Sequence, residues 1–385
     1  MSSHPPILII GAGIGGLTTA VALQKQGFPV EVYEKVPELK GLGAGLILAT
    51  NAMKALQSMG IQEEIQSIAN ELDHFYIKDQ VGKVLSGGLN AEQLKRRYGH
   101  ASHSVHRAAL HEKLISMLSP GSLFTGKACK RVGQTEEGAF AEFEDGSRAE
   151  GIALVAADGI HSPVRQQHLP GVNLRYAGYT CWRAIIDASD LNNIQEMASE
   201  TWGNNGRFGI VPLSNKRIYW FATRNAKEGD AKMRDWKVEE LKTNFADFHE
   251  DVQEVLARTK DEDLLWNDIH DFKPLETFAF DRILLLGDAA HATTPNMGQG
   301  ACMAIEDAAV LLGCIKTAKS YIAAFEEFEA RRISRTRWIV TTSYRIGAMG
   351  QWSNGLMVKF RNSLMRMTPS STTERQMAKL FNIKF

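Results

Sequence analysis

Residues 5–34 read PPILIIGAGIGGLTTAVALQKQGFPVEVYE, and the reading of this stretch decides the fold. Ile7, Leu8, Ile9 and Ile10 form a short aliphatic run, small residues follow at once, and Leu17, Val21 and Leu23 then recur with helical character. That succession predicts strand, tight turn and helix. Gly27 closes the helix, and residues 30–33 predict a second strand that ends at Glu34. Two such strands joined by a helix pair in parallel with a right-handed crossover, a Rossmann-type start. Gly11, Gly13 and Gly16 make G-x-G-x-x-G at the strand-to-helix junction, and Glu34 closes the next strand. Gly11 allows the tight turn, Gly13 lets backbone amides approach a pyrophosphate, and Gly16 permits close helix packing. The helix N-terminus adds partial positive charge, and Glu34 can accept hydrogen bonds from an adenosine ribose. The motif predicts dinucleotide binding and does not decide between NAD and FAD.

Outward from this start, alternation of Phe75, Ile77, Val81 and Val84 with turn signals at Gly82, Gly87 and Gly88 predicts antiparallel strands over 72–89. Helical spacing returns at Leu110, Leu114 and Leu118, and strands near 142–143 and 152–156 lead back to the first sheet. TCWRAII, RFGIVPL and RIYWFA predict the body of a second sheet, followed by one helix over 238–256. Another apolar strand is expected at 282–286 and a buried helix at 301–312. The expected class is α/β. A Rossmann-type nucleotide-binding lobe (1–71, 100–175 and 272–330) is interrupted by a smaller α+β substrate lobe with a mainly antiparallel sheet (72–99 and 176–271), and a helical basic segment (331–385) follows.

Composition sets bounds on function. The 385 residues are 44% hydrophobic and 23% charged, which excludes collagen-like and disordered chains. Lys plus Arg equals Asp plus Glu at 44 each, so no overall field recruits nucleic acid or a membrane surface. Residues 331–385 are nonetheless locally basic, with 11 Lys or Arg against Glu374 alone. This predicts a solvated helical face packed on the acidic body, with a partner or membrane surface as the other reading. Cys129, Cys181, Cys302 and Cys314 show no C-x-x-C pair and no metal-ligand spacing, so neither zinc nor a disulfide framework is expected, and a reducing cytoplasm fits. No apolar run reaches the ~20 residues of a spanning helix.

Two further motifs carry chemistry. LVAADGIHSPVR presents Asp158, Gly159, Ser162 and Arg165 at a strand end, and LLLGDAAHATTPNMGQGACMAIEDA places Asp288 at another. In the second, a Gly298-Gln299-Gly300 loop opens a helix whose amides would stabilise the anion of a reduced flavin. Taken in order, GAGIGGL, HRAALHEKL, DGIHSPVR and GDAAHATTPNMGQGACMAIEDA resemble the single-component (group A) FAD-dependent monooxygenases typified by p-hydroxybenzoate hydroxylase. YAGYTCWRAII and GRFGIVPL are most similar to the salicylate hydroxylase, urate hydroxylase and zeaxanthin epoxidase branch. The resemblance covers about residues 7–369.

The resemblance implies FAD pyrophosphate at Gly11, Gly13 and Gly16 and ribose at Glu34, with Lys35 just past the ribose acid. It implies a flavin-side contact at Arg107, an FAD and NAD(P)H motif at Asp158 and Gly159, ribityl binding at Asp288, and the isoalloxazine edge at Pro295, Gly298 and Gly300. The GLGAGL loop at 41–46 departs from the pattern by containing no basic residue. The implied reaction is reduction of FAD by NADH or NADPH, then transfer of one oxygen atom of O2 through a flavin hydroperoxide to a small aromatic, heteroaromatic or conjugated substrate. No protein nucleophile is needed, and neither G-x-S-x-G nor H-E-x-x-H occurs. His291 is a proton relay or a structural hydrogen-bonding group. Arg207, Arg183 and Tyr219 are the candidates for substrate binding. Tyr179, Trp182, Phe208 and Trp220 add aromatic surface, of which alternation puts about half on one face. The alternatives are an epoxidase, a hydroxylase of a larger natural product or antibiotic, a flavin reductase or oxidase without oxygen insertion, and a non-catalytic FAD-binding protein.

Overall fold

A computed structural model describes residues 5–39, 44–191 and 197–385, so Gly41, Leu42 and Gly43 of the GLGAGL loop lie outside the described residues. The opening unit forms as expected: strand Ile7–Ile10, helix Ile14–Lys25 and strand Val30–Tyr33, with Ile7 in register with Val30. Residues 7–10 are buried on both faces because strand Ala153–Ala156 pairs in parallel on the other side. Strand Ile283–Leu285 extends the sheet beyond Ala153–Ala156, and Leu123–Phe124 extends it beyond Val30–Tyr33. The three chemical motifs therefore end neighbouring parallel strands at one edge of one sheet, where ligands of open α/β sheets bind.

The second sheet has seven strands, in the order Leu265–Asp271, Arg175–Asp187, Arg217–Asn225, Arg207–Leu213, Met197–Trp202, His74–Asp79 and Val84–Gly87. Its pairs are antiparallel except Met197–Trp202 with His74–Asp79. The early excursion at 72–89 thus closes the edge of a sheet whose other strands come a hundred residues later. One face of this sheet packs Trp182, Phe208 and Trp220 against Leu241, Phe245 and Val252.

Two expectations are corrected. The helix expected over 238–256 is two helices, Val238–Asn244 and Glu250–Arg258. The chain turns between them because Phe245 and Phe248 both point into the core, and Gln253 Nε2 donates to the freed carbonyls of Phe245 (2.6 Å) and Phe248 (3.2 Å). The basic segment is not only a solvated face. Helix Tyr321–Gly350 buries Arg332, whose Nε donates to Asp307 Oδ1 (2.6 Å) and whose Nη1 donates to Glu306 Oε2 (2.7 Å). Arg335 adds a second cation on Glu306 at 2.8 Å. Arg361, in helix Gly355–Met367, is also buried.

This cluster generates an acid-stability prediction. Burial alone would raise the Asp307 carboxyl, but His291 and Arg332 outweigh it and hold it at about 2. Its contribution to stability is present above the ordinary carboxylate value of about 3.9 and is lost as pH falls from about 4 towards 2. Arg332→Leu leaves two buried carboxylates without this partner and is expected to cost about 3–5 kcal/mol at neutral pH. Urea titrations followed by circular dichroism should show that loss, with acid unfolding moved to higher pH.

Candidate cofactor and substrate site

The glycine motif separates into two physical roles. Gly11 has φ +100°, and a Cβ there would meet the Ala157 carbonyl oxygen at 2.4 Å. A Cβ on Gly16 would meet the Gly11 carbonyl oxygen at 2.0 Å, so helix and strand touch through these two glycines. Gly13 is different: it has ordinary extended backbone, and a Cβ there would meet nothing within 4 Å. It borders open space at the start of a helix that no side chain caps. Glu34 is fixed beside it, with Oε2 accepting from the Ala12 amide (2.8 Å) and Oε1 from the Val36 amide (3.1 Å).

A cavity of about 230 Å³ lies here, lined by Gly11, Gly13, Glu34, Lys35, Asp158 and Gly159 among others. Six of the expected residues thus meet in one hollow. Lys127, from a loop without a local signal, and His161, inside the DGIHSPVR motif, also line it. Asp158 Oδ2 accepts from the Val164 amide at 3.4 Å while Oδ1 is buried without a partner, and burial pushes this carboxyl above its ordinary value. An orphaned acceptor in a glycine-lined cavity fits a ligand that carries hydroxyl donors. Arg165 of the same motif is structural: it is buried, stacks on Phe272 at 4.4 Å and donates to the Ala289 carbonyl at 3.1 Å, tying the second motif to the third.

At the third motif, Gly287 has φ +62° and its amide donates to Asp307 Oδ2 (2.9 Å). His291 Nε2 meets the same oxygen at 2.6 Å, which assigns His291 to the buried network and leaves only Nδ1 without a partner. Asp288 accepts no hydrogen bond among the described residues. Its side chain is solvent-accessible although dense protein surrounds it. Burial pushes its carboxyl up against the opposing pull of His291 and Arg107. Arg107, at the start of helix Arg107–Ser116, is exposed as well. Beyond it the 3₁₀ turn Pro295–Met297 leads through Gly298 (φ +61°) into helix Gly300–Thr317. No side chain caps that helix, since the Gln299 side chain is held by Asn51 Nδ2 at 2.9 Å. The uncapped helix N-terminus at Gly13, beside the glycine-lined cavity, and the one at Gly300 each fit a negatively charged group of a ligand.

The seven-stranded sheet meets this loop with the face turned away from Trp182, Phe208 and Trp220. Register places Tyr179, Cys181, Arg183, Arg207, Tyr219 and Phe221 together on it. The three residues on the other side therefore belong to the core and not to the site. Tyr179 Oη donates to Asn296 Oδ1 (3.1 Å), joining the sheet to the Pro295–Met297 turn. Arg207 is buried rather than an edge charge: Nη1 donates to Glu200 Oε1 (2.8 Å), Nη2 to Asn296 Oδ1 (2.7 Å), and only Nε lacks a partner. Arg183 donates to Asn267, and its Nε is likewise unpartnered. Gly209 was passed over in the sequence although a glycine inside a strand signals close approach. A Cβ there would meet the Phe221 ring at 2.0 Å, so Gly209 makes room for that ring. Gly45 does the same for Tyr219, at 2.5 Å. Burial pushes the Tyr219 hydroxyl far above its ordinary value. Among the described residues no cluster of His, Cys, Asp or Glu could hold a metal ion.

Comparison with known proteins agrees with this geometry. A family model described as FAD binding domain matches residues 5–319. Aurachin C monooxygenase/isomerase of Stigmatella aurantiaca is 35% identical over 97% of each chain. The FAD-dependent urate hydroxylase of Klebsiella pneumoniae subsp. pneumoniae is 33% identical over 86% of this chain and 87% of its own. A solved Klebsiella pneumoniae protein complexed with FAD and uric acid superposes with a TM-score of 0.91 at 29% identity, over 99% of this chain and 97% of that one. The chain belongs to the FAD binding domain family and, within it, to the single-component FAD-dependent monooxygenases.

Proposed function

We propose that this monooxygenase uses NADH or NADPH and dioxygen to place one oxygen atom on a planar aromatic or heteroaromatic compound. The observation that carries this reading is the face bearing Tyr179, Cys181, Tyr219 and Phe221, which meets the Pro295–Met297 turn through Asn296. Such a surface takes a flat apolar ring, and the free Nε groups of Arg183 and Arg207 offer donors for a ring oxygen or nitrogen. The relatives named for urate and for aurachin C support a ring compound as substrate. Free cysteines throughout the described residues support a cytoplasmic setting.

FAD, when bound, supplies the redox chemistry, accepting a hydride and activating dioxygen. The residues have simpler tasks. Gly11 and Gly16 set the turn, Gly13 leaves room for the pyrophosphate, and Glu34 accepts from the adenosine ribose. Lys35 and Arg107 supply positive charge at the two ends of the cofactor. Asp158 accepts from a hydroxyl group through Oδ1, which is buried with no partner among the described residues, and Asp288 through a side chain that accepts no hydrogen bond among them. Gly298 and Gly300 bring the helix N-terminus, with Pro295, to the edge of the flavin ring, where partial positive charge offsets the negative charge gained on reduction. The apolar sheet face excludes water from the reacting centre.

Three outcomes are expected. Purified protein should consume NAD(P)H faster when a cognate ring compound is added, with isotopically heavy oxygen from O2 appearing in the product by mass spectrometry; faster consumption without labelled product contradicts oxygen insertion. Gly13→Ala should fold as the wild type does, because no protein atom lies within 4 Å of the added Cβ, yet bind FAD about tenfold more weakly or worse, read by flavin fluorescence. Gly209→Val should displace the Phe221 ring and raise KM about tenfold, a loss of about 1.4 kcal/mol in binding, while FAD content stays unchanged.

A further inference from the structure

Ten large apolar side chains are exposed among the described residues, and five of them lie on the 13-residue helix Gly355–Met367. Leu356, Phe360, Leu364 and Met367 recur at helical spacing and are 79%, 64%, 53% and 78% exposed. The opposite face of the helix is firmly docked. Val358 and Arg361 are buried, and Arg361 donates to the Gly350 carbonyl (3.1 Å) and lies 5.2 Å from the Trp202 ring. The exposed row is therefore the outer face of a packed helix.

The apolar surface continues onto the neighbouring hairpin. Asp79 organises the turn after strand His74–Asp79, accepting from the amides of Val81 (3.2 Å) and Lys83 (2.9 Å), and its other oxygen pairs with Arg366 of the helix. That bridge sets Val81 and Val84, both exposed, beside the helix, so seven of the ten exposed side chains share one end of the molecule. A cleft of about 310 Å³ lined by Leu85, Leu89, Met365 and Met377 among others opens next to them. The charges on the helix are one-sided: it carries Lys359, Arg361 and Arg366 and no acid. Lys83 and Lys359 are exposed and make no ion pair among the described residues, Asp79 and Glu374 are paired with Arg366 and Arg97, and the exposed acids Asp247 and Glu250 flank the His249 that lies against Gly82 of the hairpin.

We infer that this ridge docks the enzyme on a bilayer surface that carries anionic lipid headgroups. A single convex row of Leu, Phe and Met flanked by lysines is the pattern of an interfacial helix, whose apolar side enters the headgroup boundary while its cations meet lipid phosphate. A second copy of the chain fits less well, because a two-fold contact through the ridge would bring Lys359 and Lys83 towards their own copies. No described helix is long and apolar enough to cross a membrane, so attachment is peripheral. Docking stands whether or not the proposed substrate class does.

The test is co-sedimentation of the FAD-loaded full chain with vesicles of phosphatidylcholine, alone or with one third phosphatidylglycerol. The wild type should sediment with the anionic vesicles and about tenfold less with the neutral ones, and added salt should release it. The double variant Phe360→Asp, Leu364→Asp should lose vesicle binding about tenfold or more while keeping its FAD content and its turnover of soluble substrate. Lys83→Glu with Lys359→Glu should abolish the preference for anionic vesicles. Wild-type protein that stays in the supernatant with both vesicle types overturns the inference, as does a Phe360→Asp, Leu364→Asp variant that sediments like the wild type. A solution dimer that this variant converts to monomer, without vesicle binding, would assign the ridge to a second copy instead.

Discussion

Two adjacent carboxylates, Glu306 and Asp307, lie fully buried on helix Gly300–Thr317, and the rest of the site depends on how they are neutralised. Charges without partners in such a place would cost several kcal/mol each. Arg332 and Arg335 reach them from the long helix Tyr321–Gly350, and His291, Asn51 and the Gly287 amide fill the remaining acceptor positions. Each of these partners belongs to something the site needs. Gly287 precedes Asp288, Asn51 holds Gln299 at the end of the loop that opens helix Gly300–Thr317, and the long helix supplies Ser343, whose carbonyl accepts from Asn296 at 2.9 Å. One buried charge cluster thereby sets the strand end, the loop and the helix N-terminus in fixed relation.

The aromatic sheet is tied into the same frame most directly through Asn296, with Gln351 on Thr223 and Arg175 on the Tyr344 ring as further links to the long helix and its C-terminal end. Asn296 accepts from both Tyr179 and Arg207 and donates to Thr294 and Ser343, so it joins the aromatic sheet face, the loop and the long helix. Arg207 is in turn balanced by Glu200 on the neighbouring strand. A surface that must hold a ring at a fixed place gains from such over-determined contacts, because a small displacement of reacting groups is costly.

Much of this was legible in the sequence, for local reasons. The glycine motif, Glu34 and the apolar strands before Asp158 and Asp288 are short-range signals, and the structure brings their strand ends together at one edge. Alternation correctly divided the aromatic residues between two faces, but it could not say which face met the helices. That choice was made by Phe245 and Val252, which pack against Trp220 and Phe208 from a later segment. The break between Val238–Asn244 and Glu250–Arg258 was hidden because apolar spacing runs through it, while burial of Phe245 and Phe248 decides the backbone path. Arg332 read as a surface charge because its partners lie 25 and 26 positions away. Lys127 enters the cavity by tertiary contact alone.

Acceptors without a partner among the described residues, Asp288 foremost among them, are the groups proposed to hold the nucleotide. The most direct measurement is titration of FAD into flavin-free wild type and Asp288→Ala, followed by quenching of flavin fluorescence. The wild type should bind one FAD per chain, and the variant should bind about tenfold more weakly or worse with its unfolding midpoint unchanged in the absence of FAD. Equal affinity in the two proteins would contradict that assignment.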